Sequence, residues 1–323
     1  MRVLVTGGAG FIGSEFVRGL LRRGCADVTV LDALTRSGNT ANLAPIAGHS
    51  GFTLVHGDIR DPDLVDRVMP GHDYVVHFAA ESSADRSVAG ATVIATNVLG
   101  TQVLLDAAVA HGIARFVHVS TGEFYGPVRK GRWAEDQAPA PGSPYAASRS
   151  GADLLVLAHH RTHDLDVVIT RCSNTYGPYQ APEKLVPLLV CDLLDGGRLR
   201  LYGDGCQVRE WLHVEDHCRG IELALTRGRA GEVYHLGGGA EVSDRDLAGR
   251  VLAACGADWS AVDHVPGRGG PEGRRALNPH KSRAELGFRP RVAFEEGLAA
   301  TVSWYRQNRT WWEPLRARTA VGL

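Results

Sequence analysis

Cysteine is sparse here and unpaired in pattern: six cysteines lie scattered through 323 residues, and no two form a C-x-x-C pair. That absence argues against a disulfide framework or a cysteine-built metal site and leaves reduced thiols as the expectation. Net charge is equally small, at −1, so no global field draws the chain toward nucleic acid or anionic lipid. His118, His213, His217 and the pair His159–His160 lack metal-ligand spacing with partners, so no metal is expected. No apolar run approaches the roughly 18 residues of a membrane span, and the chain opens on an apolar strand rather than the pattern of a secretory signal. These absences together predict a cytoplasmic protein that binds neither membrane nor nucleic acid. Internal repeats and low-complexity tracts are also missing.

Short runs rich in β-branched residues take their place. Arg2–Thr6, Val28–Asp32, Phe52–His56, Tyr74–Phe78, Arg115–Ser120 and Asp166–Arg171 alternate with helix-like segments at Glu15–Arg23, Pro62–Met69, Thr92–His111 and Ala146–His163. Continuous apolar strands, each followed by a helix, predict an α/β fold with a doubly wound parallel sheet of Rossmann type, covered on both faces. From about residue 177 the chain turns to Gly/Pro-rich turns and shorter helices. The expected division is a nucleotide-binding domain over 1–176 and 216–240, and a smaller C-terminal substrate-binding lobe over 177–215 and 241–323.

"TGGAGFIGS" follows the first strand and spaces Gly7, Gly10 and Gly13 three apart. Glycines there let the backbone approach a pyrophosphate, while the next helix offers free N–H groups and the positive end of its dipole. Asp32 closes the second strand, where a carboxylate binds a ribose 2′-hydroxyl and repels a 2′-phosphate, so NAD is expected. Arg36 is a mild counter-signal. Farther on, "SPYAASRSG" sets Tyr145 and Arg149 one helical turn apart. A cation beside a phenol favours the phenolate, which makes a tyrosine usable as a general base.

In these motifs the chain resembles the extended short-chain dehydrogenase/reductase superfamily, and within it the dTDP-glucose 4,6-dehydratases of deoxysugar pathways. "GGAGFIGS", "LDALTRSGNTANL", "HGDIRD", "HFAAES" and "DRSVAG" are similar to that family's cofactor half. "SNTYGPYQAPEKLVPL", "LYGDGCQVREWLHVEDHCRGI" and the tail from Trp304 to Trp312 are similar to its sugar-nucleotide lobe. The resemblance implies that Gly7, Gly10, Phe11, Ile12, Gly13, Asp32, Asp58, Ile59, Ala79, Ala80, Asn97, Tyr145 and Arg149 contact NAD. It also implies that Ser83, Asn174, Lys184, Arg209 and Arg274 contact a nucleotide-diphosphate hexose. Tyr145 would take the sugar 4-hydroxyl proton while NAD takes the C4 hydride, and Thr121 would hydrogen-bond the same oxygen. Glu123 would then take the C5 proton, and the hydride would return to C6 once the 6-hydroxyl has left. A homodimer paired through the helices near 92–111 and 146–163 is implied too.

The departures from that family lie around one pocket. The family reads Ser-Thr-Asp-Glu where this chain has Ser120-Thr121-Gly122-Glu123, so the acid that protonates the leaving 6-hydroxyl is missing. Either the backbone needs glycine at 122, or a side chain has been given up. Arg149 replaces a lysine, Ser83 a histidine, and Pro271–Arg275 a nucleotide-contact run. Three functions follow: a dehydratase with a weakened or relocated acid, an NAD-retaining epimerase or oxidoreductase on a nucleotide hexose, or a cofactor binder without turnover. The retained Thr121, Glu123 and Tyr145 weigh against the third.

Overall fold

The β-branched runs pair side by side because each is apolar on both faces and must be covered by helices on both. A computed structural model describes residues 1–24, 26–81, 90–128, 130–266 and 274–321. The first half contains β1 (Arg2–Thr6), α1 (Phe11–Arg22), β2 (Asp27–Asp32), β3 (Phe52–His56), α2 (Pro62–Val68), β4 (Tyr74–His77), α3 (Gly90–Ile94), α4 (Thr101–Ala110), β5 (Arg115–Thr121) and α5 (Pro144–His163). The second contains β6 (Val167–Cys172), β7 (Asn174–Tyr176), α6 (Leu185–Leu194), β8 (Leu199–Tyr202), β9 (Val208–His213), α7 (Val214–Arg227), β10 (Glu232–Leu236), β11 (Ala240–Ser243), α8 (Asp244–Cys255), β12 (Val262–Val265), α9 (Phe294–Gln307) and α10 (Arg309–Val321).

Seven strands form one sheet in the order β3-β2-β1-β4-β5-β6-β10, every pairing parallel. The chain winds from β1 out to β3, then crosses back to place β4 on the other side of β1. The carboxyl ends of β1 and β4 thus flank a topological switch point, where open α/β sheets hold their ligands. Val3, Leu4, Val5, Val75, Val76, Phe116 and Val117 are fully buried in this sheet. A second apolar core gathers Tyr176, Trp211, Phe294, Tyr305 and Trp312 with α6, α8 and α9, beside the three-stranded β11-β9-β7 sheet and the β8–β12 pair. Arg18 stacks 4.2 Å over the Tyr179 ring, and Trp311 donates to Asn42 Oδ1 at 3.0 Å, tying the two cores across a cleft.

Two sequence expectations need correction. The stretch Ala91–Ala110 is, by length and composition, apolar enough to cross a membrane. In the fold it packs against α2 and α5, and its buried Asn97 and Thr101 make hydrogen bonds within the protein. It is also not one α-helix: a π-helical turn, Ala95–Gly100, separates α3 from α4. At Gly100 a Cβ would come within 2.7 Å of Ile59 Cδ1, so the helix passes Ile59 too closely for a larger residue.

Candidate active site

A cleft of about 620 Å³ opens above the carboxyl ends of β1, β4 and β5, within the size of small-molecule sites. Its first wall is the glycine turn. Gly7 has φ +71, and a Cβ on it would lie 2.6 Å from Ala79 N. On Gly13 a Cβ would meet Gly7 O at 2.4 Å. These two glycines are therefore demanded by close packing of turn, helix and β4. α1 begins at Gly10 with no side-chain cap, so its first-turn N–H groups face the cleft ready for an anion. Asp32 ends β2, accepting from Ala9 N and Leu34 N at 2.8 Å each, and its burial pushes the carboxyl up from the usual range. Phe11, Ile12, Asp58, Ile59, Ala79 and Ala80 line the same wall; Arg60 grips Asp58 and holds its carboxyl low. Asn97 stands behind the wall: it accepts from Glu81 N at 2.8 Å and donates to Ser148 Oγ at 2.9 Å, bracing the segment after β4 against α5.

The second wall comes from β5 and α5. Ser143 caps α5 by accepting from Ala146 N at 3.1 Å, with Pro144 at the first helical position. That start aims Tyr145 into the cleft and drops Arg149 beneath it. Arg149 is buried, and its Nη2 donates to Val119 O at the end of β5. Its Nη1 is buried without a hydrogen-bond partner among the described residues. This orphaned donor and the glycine cradle together fit a bound dinucleotide, since both are left over from the protein's own packing. Burial pushes the Tyr145 phenol above its ordinary value, the Arg149 charge pulls it down, and Glu123 pushes it up again. The sequence reading had the cation right and the net direction wrong, because burial outweighs it.

That balance carries a pH signature. A phenol held high is deprotonated only as pH rises through its raised value, so a Tyr145-dependent rate should climb with pH on its acid limb. Arg149→Met removes the opposing charge and should move that limb to higher pH by about 1–3 units, whereas Arg149→Lys should leave it near the native position. Rate–pH profiles at saturating cofactor check this; an unmoved limb in the methionine variant would contradict it.

Thr121, Gly122 and Glu123 close the floor, with Glu123 N donating to Thr121 Oγ1 at 3.2 Å. Gly122 has φ −85 and ψ 0, a conformation any residue adopts, so the backbone does not require glycine there. The space is tight instead: a Cβ would lie 2.9 Å from Leu277 Cδ2, the end of a side chain that would have to shift and is buried against Phe124, Tyr125, Trp133 and Ala146. A leucine methyl thus crowds the point where a side chain at 122 would begin.

Of the residues expected to touch a nucleotide sugar, Asn174, Lys184 and Arg209 line the cleft. Lys184 is half-buried, and burial lowers its ammonium from the ordinary value, with Glu183 and Glu123 opposing. Arg209 pairs with Asp244 at 3.0 Å. Among the described residues the wall contains Arg275 rather than Arg274, which turns to Glu241. Ser83 and residues 271–273 lie outside the described residues. Sequence reasoning passed over His217, a neutral imidazole in the wall whose proton affinity burial lowers to about 3. Its Nδ1 lies 3.0 Å from Thr175 Oγ1, and its Nε2, like the Nε1 atoms of Trp133 and Trp211, finds no hydrogen-bond partner among the described residues.

The family model for GDP-mannose 4,6 dehydratase matches residues 4–301. The chain belongs to that family. It is built on the extended short-chain dehydrogenase/reductase fold and is 57% identical to a dTDP-glucose 4,6-dehydratase of Streptomyces niveus, covering 98% of this chain and 96% of that one. A dTDP-glucose 4,6-dehydratase of Streptomyces venezuelae, solved with NAD bound, superimposes with a TM-score of 0.95 at 57% identity, covering 98% of this chain and 100% of its own. A UDP-glucose 4-epimerase of Thermotoga maritima, solved with UDP-glucose, gives a TM-score of 0.89 at 32% identity over 96% of this chain and 100% of its own.

Proposed function

We propose that this family member is an NAD-dependent nucleotide-sugar 4,6-dehydratase of the cytoplasm, acting on a dTDP-hexose through a 4-keto intermediate. The observation that carries the reading is the meeting of Thr121, Glu123 and Tyr145 on one cleft with the glycine cradle and the unpartnered Arg149 Nη1. Gly7, Gly10, Gly13 and the start of α1 would hold the cofactor diphosphate, Asp32 the adenosine ribose, and Arg149 the nicotinamide ribose. Bound NAD supplies a hydride acceptor at C4 and, once reduced, a hydride donor at C6. Tyr145 takes the 4-hydroxyl proton while Thr121 orients that oxygen. Glu123 then removes the C5 proton, which the adjacent 4-ketone has made acidic. The lobe of residues 177–215 and 241–323, through Lys184 and Arg209 and with Asn174 just before it, would hold the nucleotide diphosphate.

One observation favours a second reading. Hydrocarbon from Leu277 crowds the point from which the missing acid would extend, and a floor without an acid suits reprotonation or epimerisation of the same oxidised sugar. Incubation with dTDP-glucose, followed by NMR, separates the two: a 4-keto-6-deoxy sugar is expected, and a 4-epimer would overturn the dehydratase. NAD should co-purify and persist through turnover, because the hydride is returned. A preparation that needs NAD added in stoichiometric proportion to product would contradict this.

The proposal extends to a homodimer. Leu99 and Leu154 are 59% and 62% exposed on neighbouring helices, a paired apolar face unusual for a monomer's surface. Light scattering at micromolar concentration should give a dimer for the native chain and a monomer for Leu99→Asp/Leu154→Asp. A native monomer would refute it.

A further inference from the structure

Residues 274–278 form an extended strap laid between β9 and the segment after β5. Arg275 N donates to Val208 O at 3.3 Å, Glu210 N to Arg275 O at 3.2 Å, and Trp133 N to Ala276 O at 3.0 Å. The fully buried Glu210 pins the strap again, accepting from Leu277 N at 2.9 Å. An extended strap alternates its side chains. Arg274 faces outward, with Nη2 2.6 Å from Glu241 Oε1 and Nη1 donating to Gly131 O at 2.8 Å. Arg275 and Leu277 both face the cleft. Leu277 reaches within 2.9 Å of a Cβ at Gly122, and Arg275 lies two residues earlier, roughly 7 Å along an extended chain, within the reach of its side chain. Arg132, Arg209 and Arg274 are all paired with carboxylates. The half-buried Arg275 makes no side-chain hydrogen bond or ion pair among the described residues.

We infer that Arg275 is a catalytic residue of this chain, whose guanidinium holds the departing 6-hydroxyl beside Gly122; the inference rests on the dehydratase reading above. A guanidinium keeps its protons, so it acts by charge and by paired N–H donors, not as an acid. Glu123 removes the C5 proton, and the C–H electron pair becomes the C5–C6 double bond. The C6–O6 bond breaks with its pair on oxygen, held by Arg275, and protonated Glu123 passes its proton to that oxygen, so water leaves. The proton C5 later regains is matched by the one Tyr145 took from the 4-hydroxyl. No added oxidant enters this step, because the 4-ketone is already formed.

Arg275→Gln and Arg275→Lys test the assignment, with dTDP-glucose as substrate and dTDP as the binding probe. The glutamine variant should form 4-keto-6-deoxy product about 10²-fold more slowly, the scale of losing one preorganised donor at a developing anion. Reduced nicotinamide should accumulate on it, while KM and the Kd for dTDP stay within about threefold, a shift of less than 1 kcal/mol. The lysine variant, which keeps a cation, should recover part of the rate. Tenfold weaker dTDP binding with kcat preserved would place the guanidinium on the diphosphate and overturn the inference, as would an unchanged kcat. A native chain that makes no deoxysugar overturns the dehydratase reading and this inference together, and the native control reports that outcome by itself.

Discussion

Glu123→Gln should leave a chain that oxidises its substrate once and then stops. The amide keeps the size of the carboxylate but cannot take the C5 proton, so product formation should fall by at least the 10²–10⁴-fold that a positioned general base contributes. Tyr145, Thr121 and Arg149 keep their places, and losing the Glu123 charge relieves one upward push on the Tyr145 phenol, so C4 oxidation continues and reduced nicotinamide should remain on the protein. The variant separates the two halves of the chemistry, because the half-buried Glu123 meets Thr121 only through its own backbone N–H. The measurement is absorbance of the reduced nicotinamide beside product by NMR. Unimpaired product in the glutamine variant would remove Glu123 from the mechanism.

The second large effect concerns Gly122. Its φ of −85 accepts any residue, so Gly122→Asp costs no backbone strain. The obstacle is Leu277 Cδ2, 2.9 Å from the new Cβ, in a residue only 1% exposed. Gly122→Asp alone should therefore gain little and lose some thermal stability, since overpacking a filled site costs about 1–3 kcal/mol. Gly122→Asp with Leu277→Val opens the space. The new side chain would then start between the trimmed residue 277 and Cys172 O, which lies 3.5 Å from its Cβ, and burial at that floor raises the carboxyl pKa and keeps a proton available. Formation of 4-keto-6-deoxy product should rise by up to 10²–10⁴-fold over the native chain, and fall again as pH passes above the raised pKa. Arg275→Gln should cost this double variant less than it costs the native chain, because two groups serving one oxygen are not additive. A double variant no faster than native, made from a native chain that yields a 4-epimer, would mean that the floor is rebuilt for a different second step.

The parallel sheet was legible because β1, β4 and β5 are short β-branched runs without the regular apolar–polar alternation of a strand that faces water on one side. The cofactor cradle was legible for a related reason: Gly7 and Gly13 sit where a Cβ would strike backbone, and Asp32 stands at the end of the neighbouring strand. Residues brought in by the late strap were not. Arg274 and Arg275 are adjacent and identical, and only the alternation fixed by pairing Arg275 with Arg209 and Leu277 with Trp133 decides which one enters the cleft. Leu277 reads as an ordinary core residue, and its contact with Gly122 spans 155 positions of chain, the difference between 277 and 122. The Tyr145 phenol was misjudged because a one-turn spacing shows the cation but not the burial. His217 was set aside for want of metal spacing, although its use of Thr175 has nothing to do with a metal.

In the proposed mechanism, hydride leaves C4 and returns to C6 within one active site. dTDP-glucose carrying deuterium at C4, turned over by the purified chain without added NAD, tests it directly. The expected product is a 4-keto-6-deoxy sugar with the deuterium at C6. Deuterium lost to solvent, retained at C4 of an epimer, or recovered in released cofactor would contradict it.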